Sequence, residues 1–202
     1  MPKAADYAAT LRTLMVPAVA MVIMITMMRQ TGSGVQSSFY VVWLNEEIGL
    51  SGTLIGALIS AGNAAAAVAA LTTGPLTRRF RPHWLLIFTI GLSIVGIAVT
   101  PALGDFYVLL LIAMSARGIG QGLNLPLMIT ILARNVPAGL LGRVTAMRVS
   151  FNRFGGAVVP LVMGALAEIV GIANSFYIVG ALGIALLALL SLWMATSPAF
   201  EQ

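Results

Sequence analysis

The chain has 202 residues, 59% hydrophobic and 8% charged, with a formal net charge of +5, and its mean hydropathy is +1.00. Soluble domains carry about 25% charged residues, so these few charges cannot cover a water-facing surface, and the positive balance is not a nucleic-acid footprint. Without cysteine there are no disulfides, thiol nucleophiles or thiolate metal sites, and the one histidine, His83, cannot form a metal cluster.

These limits describe an all-α integral membrane protein of one domain, residues 1–202. The first eleven residues are polar to neutral, and the apolar run after them is too long for the core of a cleavable signal peptide. A hydrocarbon core about 30 Å thick takes roughly 20 apolar residues per helix. Six segments fit: 14–43, 53–73, 84–102, 106–132, 144–170 and 174–195.

The first segment contains Arg29-Gln30-Thr31-Gly32-Ser33-Gly34-Val35-Gln36 in the middle of an apolar run. At about 30 residues it would reach roughly 45 Å as one helix, so it tilts, projects, or breaks near Gly32 and Gly34. One long helix is preferred to a division at Met28, which would leave Phe39 to Leu44 too short to cross. A guanidinium at mid-depth needs counter-charge, carbonyls or water, and its planar fork suits carboxylate or phosphate. Arg29 is therefore the leading substrate-binding candidate, with Gln30, Gln36 and Tyr40 beside it. Trp43 reads as an anchor at the membrane interface. The methionines between Met21 and Met28 read as adaptable filler.

In the second segment Asn63 and the run Ala64 to Ala70 read as a packing face with one interhelical hydrogen bond. The fourth segment contains Arg117-Gly118-Ile119-Gly120-Gln121-Gly122-Leu123-Asn124. Like the Arg29 stretch, it has Arg, then Gly at +3 and +5 and an amide at +7. Arg117, Gln121 and Asn124 share a helix face and are candidates for a substrate path. Gly118 and Gly122 have the G-x-x-x-G spacing of close helix contacts. In the fifth segment Asn152 is deep enough to touch a path, whereas Arg148 reads as snorkelling to the surface. Pro126 and Pro160 are placed to kink their helices.

The basic residues set the topology. Lys3, Arg12, Arg78, Arg79, Arg81, Arg134 and Arg143 fall on one side, and Glu46, Glu47, Asp105 and Glu168 on the other. Both termini are then cytoplasmic. Six spans with both ends inside permit two triplets of opposite orientation, and the two Arg stretches occupy their equivalent first helices. A 3+3 inverted repeat with a midplane site is a transporter pattern. No carboxylate lies at mid-depth, so two deep arginines point to an organic anion or zwitterion as substrate.

Several segments together resemble the C-terminal six-helix half of a major facilitator superfamily (MFS) transporter. Phe39-Tyr40-Val41-Val42-Trp43-Leu44 with Gly49-Leu50-Ser51 and Gly56 is similar to the end of that half's first helix and the start of its second. Gly74-Pro75-Leu76-Thr77-Arg78-Arg79-Phe80-Arg81 resembles the loop motif G-x-x-x-D-R-x-G-R, with Arg78 in place of Asp and Arg81 in place of Gly. Arg117 to Pro126, followed by Pro137 and Gly142-Arg143, resembles the fourth helix and its exit. Arg148 to Gly156, with Pro160 and Gly164, resembles the fifth.

The resemblance implies secondary transport of a small-molecule substrate by alternating access in the plasma membrane, the inner membrane if bacterial. It implies a gating loop at Gly74, Arg78, Arg79 and Arg81. It also implies a partner, because complete members have about twelve helices in two halves. The chain begins with Met and carries six spans. The readings left open are a fragment, a truncated product, one of two separate halves, or a half that pairs with itself. The competing function is a non-transporting membrane subunit or remnant. No cofactor, metal or enzymatic chemistry is expected, since the sequence has no Ser-His-Asp set, acid pair or phosphate loop.

Overall fold

The computed structural model describes residues 15–35 and 39–198, and of Thr31, Gly32 and Gly34 the backbone alone. Among the described residues the regular elements are helices: α1 (Pro17–Val35), α2 (Val41–Glu46), α3 (Gly52–Leu71), α4 (Thr73–Arg79), α5 (Pro82–Ala98), α6 (Tyr107–Asn135), α7 (Ala138–Val170) and α8 (Ile172–Thr196), with a 3-10 turn at Thr100–Leu103. The boundaries have local causes. Ser51 caps α3 by accepting from the Leu54 amide, and Pro82 opens α5 at a position where a missing N–H costs nothing. Gly171, at φ +84°, separates α7 from α8 in a conformation other residues rarely adopt.

α3, α6, α7 and α8 are each long and apolar enough to cross a bilayer, whereas Pro17–Gln30 within α1 and the whole of α5 are apolar but shorter. This is a multi-pass membrane protein. α1 stays helical through Gly32 and Gly34 to Val35, so the backbone does not break there. Gln36 lies outside the described residues. Phe39 and Tyr40 form a π-helical turn that leads into α2.

α6 occupies the centre, packed along α3 on one side and α5 on another. α1 packs against α7, and α8 against α5 and α7. The α3–α6 contact is a backbone seam. A Cβ on Gly118 would meet the Gly62 carbonyl, and one on Gly122 the Ala66 carbonyl. The expected G-x-x-x-G contact of α6 thus meets a Gly62-x-x-x-Ala66 face on α3. Gly120 turns the other way, where a Cβ would come within 2.6 Å of the Ser93 hydroxyl on α5.

The core is divided into two apolar clusters. One joins Met21, Ile25, Leu86, Ile90, Leu127, Ile131, Leu190 and Met194. The other joins Tyr40, Trp43, Leu44, Leu58, Ile97, Leu110, Met163 and Phe176. Between them each long helix carries polar or glycine positions: Arg29 and Gln30 on α1, Gly62 on α3, Ser93 and Gly96 on α5, Arg117 and Gly120 on α6, Asn152, Gly155 and Gly156 on α7, Gly180 and Gly183 on α8.

Three expectations change. Trp43 is not an interface anchor: it is 2% exposed and meets Phe176 edge-on at 6.0 Å. Arg148 does not snorkel, since it is buried at 8% exposure among packed helices. Asn63 is exposed on α3, and the interhelical contact beside it is made by Gly62. Met21 and Met28 are buried, while Met24 is exposed.

The seam gives a prediction of opposite signs on two glycines. Gly122→Ala forces a methyl against the Ala66 backbone and is expected to destabilise by about 1–3 kcal/mol, as overpacked cores do. Gly56→Ala, in the same helix pair but facing open space, is expected to stabilise by up to about 1 kcal/mol. Thermal unfolding in mild detergent measures both, and a neutral Gly122→Ala would mean that the seam is not closed.

Candidate functional site

The residues expected to bind substrate gather into two groups. The first lies between α1 and α7. Arg29 Nη2 donates to Asn152 Oδ1 at 2.8 Å. The Ser33 hydroxyl donates to Gln30 Oε1 at 2.7 Å. The Gln30 side chain then lies across Gly155 and Gly156, where added Cβ atoms would stand 3.0 Å from its Cγ and 2.7 Å from its Nε2. The two glycines therefore make room for an amide, and α1 and α7 meet through polar side chains. Arg29, Gln30 and Asn152 are all half-buried, so the group has an open side.

Arg148 belongs to this group. It stands one turn before Asn152 on the same face of α7, close enough for its charge to act on Arg29. The sequence held no signal for this, because the depth of an arginine on its own helix does not show which helix it faces.

The second group surrounds Arg117 on α6. Arg117 is 3% exposed, and its stem lies against Gly96 of α5, where an added Cβ would be 3.0 Å from the Arg117 Cβ. Tyr40 is fully buried and lies within electrostatic range of the Arg117 guanidinium. Asn124 is also fully buried and its Oδ1 accepts from the Thr89 hydroxyl of α5 at 2.7 Å. Gln121, on the same helix, is half-buried. Arg117 and Asn124 are thus spent largely on the α5–α6 contact, with Thr89 as the Asn124 partner that sequence reading missed. A threonine inside an apolar run was the available signal.

The expected gating loop forms α4 and the turn after it. Gly74 faces open space, and Arg78, Arg79 and Arg81 are exposed. The three arginines line a pocket of about 540 Å³ together with His83 and Arg134. The end of α6 and the start of α1 close the same pocket through Asn135 and Ala18. The basic loop residues therefore meet at one end of the bundle. Among the described residues no group of three or more His, Cys, Asp and Glu side chains is placed to hold a metal.

Comparison with known proteins agrees with this architecture. The family profile of the Major Facilitator Superfamily matches residues 22–201. The chain belongs to that family. A similar solved structure is the inward open conformation of the xylose transporter XylE from E. coli, with TM-score 0.58 and 18% identity, covering 96% of this chain and 50% of that one. At this identity the likeness is one of fold, and the chain spans half the length of XylE. No curated protein matches the chain.

The Arg117 group yields a stability prediction. Thr89→Val keeps the shape but removes the donor to Asn124, leaving a buried amide oxygen unpaired, and should cost about 1–3 kcal/mol. Thr89→Ser keeps the hydroxyl and should recover most of that loss. Unfolding midpoints in detergent report both variants, and a neutral Thr89→Val would show that Asn124 finds another donor.

Proposed function

We propose that the chain is the C-terminal half of a secondary transporter, moving a small organic anion or zwitterion across the plasma membrane by alternating access against a second six-helix half. On this reading the half has six spans, with α1 and α2 together forming the first, and both termini are cytoplasmic. The basic pocket at one end of the bundle supports that orientation under the positive-inside rule. The helix pairing supports a 3+3 inverted repeat: exchanging the two triplets converts the α1–α7 contact into the α6–α3 contact, and both are extensive.

Arg29 carries the reading. It stands twelve residues into α1, about 18 Å along the helix axis, near the middle of a hydrocarbon core about 30 Å thick. Its guanidinium donates to a neutral amide, while the acidic residues Glu46, Glu47, Asp105 and Glu168 lie at helix ends or in loops. A half-open guanidinium at that depth, held by an amide and not neutralised by a carboxylate, is suited to a substrate's negative group. Asn152 and Gln30 then fix its orientation and supply further hydrogen bonds. Arg117, with Tyr40, Gln121 and Asn124, braces the wall of the path. Arg78, Arg79, Arg81 and Gly74 face the second half across the cytoplasmic gate.

The reading of a non-transporting subunit or remnant rests on one observation, the match to half of XylE. Assembly separates the two. Six helices alone cannot enclose a path between two halves, so a transporter requires a dimer or a second half. Native mass measurement from mild detergent should give at least twice the 21.1 kDa of this chain; a stable monomer would favour the inactive subunit.

The functional test is uptake into liposomes by the purified protein. Small carboxylates should enter, and Arg29→Gln should lower the rate at least about tenfold, the effect of roughly 1.4 kcal/mol, while the unfolding midpoint stays near wild type. Uptake confined to cations, or an Arg29→Gln protein that transports normally, would overturn the proposal.

A further inference from the structure

Arg29 of α1 and Arg148 of α7 meet at Asn152, which accepts from Arg29 at 2.8 Å and stands one turn from Arg148 on the same face; the two like charges are near enough to repel. Arg148 is buried at 8% exposure. The Nε atoms of both guanidinium groups are shielded from solvent without a hydrogen-bond partner, and neither Arg148 nor Arg29 is offered a carboxylate by the helices around them. α1 has no acidic residue, α5, α6 and α8 have none, and Glu168 of α7 is sixteen positions beyond Asn152, about 24 Å along the helix. Two like charges, one half-buried and one buried, are held on packed helices, and their unused Nε donors suit an anion that bridges them.

The donors also limit its chemistry. Asn152 Oδ1 is occupied by Arg29, which leaves its Nδ2 as a donor. The Arg29 Nε–H comes from α1, and the Arg148 Nε–H and this amide from α7, so the donors approach a ligand from two helices. A planar monocarboxylate is met fully by one guanidinium fork. A tetrahedral group with three terminal oxygens and two charges can accept from both arginines and the amide together. We infer that Arg29, Arg148 and Asn152 form one receptor for a dianionic phosphoryl group. The phosphoryl group is that of a soluble phosphate or phosphate ester, a source that the vesicle arm of the test below separates from a phospholipid headgroup. This rests on the reading that Arg29 meets the substrate, and it adds Arg148 as the residue that distinguishes a dianion from a monoanion.

The test is thermal unfolding of the purified protein with inorganic phosphate or acetate titrated at constant ionic strength. Phosphate should raise the midpoint more than acetate. In Arg148→Gln the apparent phosphate affinity should fall at least about tenfold while the acetate response is kept, and Arg148→Lys should recover part of it. Without phosphate, Arg148→Gln should unfold at or above the wild-type temperature, because one of two repelling charges is gone. A purely structural Arg148 gives the opposite sign there, a lower midpoint with or without phosphate, and that result overturns the inference. Unchanged phosphate affinity in Arg148→Gln overturns it as well. Vesicles containing phosphatidic acid in place of free phosphate should not reproduce the Arg148-dependent shift; if they do, the site takes a lipid and the inference falls. Arg29→Gln separates the two proposals: loss of both responses there, with Arg148→Gln silent, sinks the paired receptor and leaves the Arg29 reading standing, whereas a silent Arg29→Gln removes the reading beneath it.

Discussion

A guanidinium placed in the middle of a lipid-embedded bundle has to be housed, and the rest of the structure is arranged around that requirement. Apolar residues fill both ends of the helices, in two separate clusters. The level between them is given to polar side chains and glycines. Arginine at this level is expensive unless solvated by protein, water or ligand, and the long side chains need room. The glycines provide it: Gly96 takes the stem of Arg117, and Gly155 and Gly156 take Gln30 beside Arg29. Glycine in this belt thus serves volume more than chain flexibility.

Arg117 and Arg29, which share this level, are housed differently. Arg117 is enclosed, with its stem pressed on α5 and the α3–α6 seam immediately beside it. Arg29 is half-open and donates to the Asn152 side chain on α7. A fixed, enclosed cation biases the electrostatic field around it. The division of labour follows from what each helix offers its neighbour: backbone on α3, side chains on α7.

Much of this was legible in the chain. Composition gave the membrane class, because so few charges leave no alternative surface. The breaks in apolar periodicity at Arg29 and Arg117 located the central level, since nothing else explains arginine amid methionines and isoleucines. Gly118 and Gly122 were recognisable as a close helix contact from spacing alone. What escaped was pairing. Periodicity describes one helix at a time, so it could not show that Arg148 faces Arg29, or that Asn124 turns toward Thr89 of α5. Trp43 was misplaced for a related reason: a tryptophan near a helix end fits the lipid interface equally well, and only the position of Phe176 on α8 decides for the core. Likewise the long first span hid its local detail, since nothing in the residues distinguishes a broken helix from one that continues past Gly34 and turns at Phe39.

The backbone seam between α3 and α6 has a consequence for how such a protein can diversify. Gly118 and Gly122 touch peptide carbonyls and not side chains, so no substitution on the opposite helix can compensate for added bulk. That contact is closed to gradual change by sequence drift. The α1–α7 contact is made of an amide, a hydroxyl, two arginines and a glutamine over glycines, every one of which can be exchanged for a side chain of similar size and different chemistry. Variation in side-chain chemistry is therefore channelled into one pair of helices, while the other pair holds the frame constant.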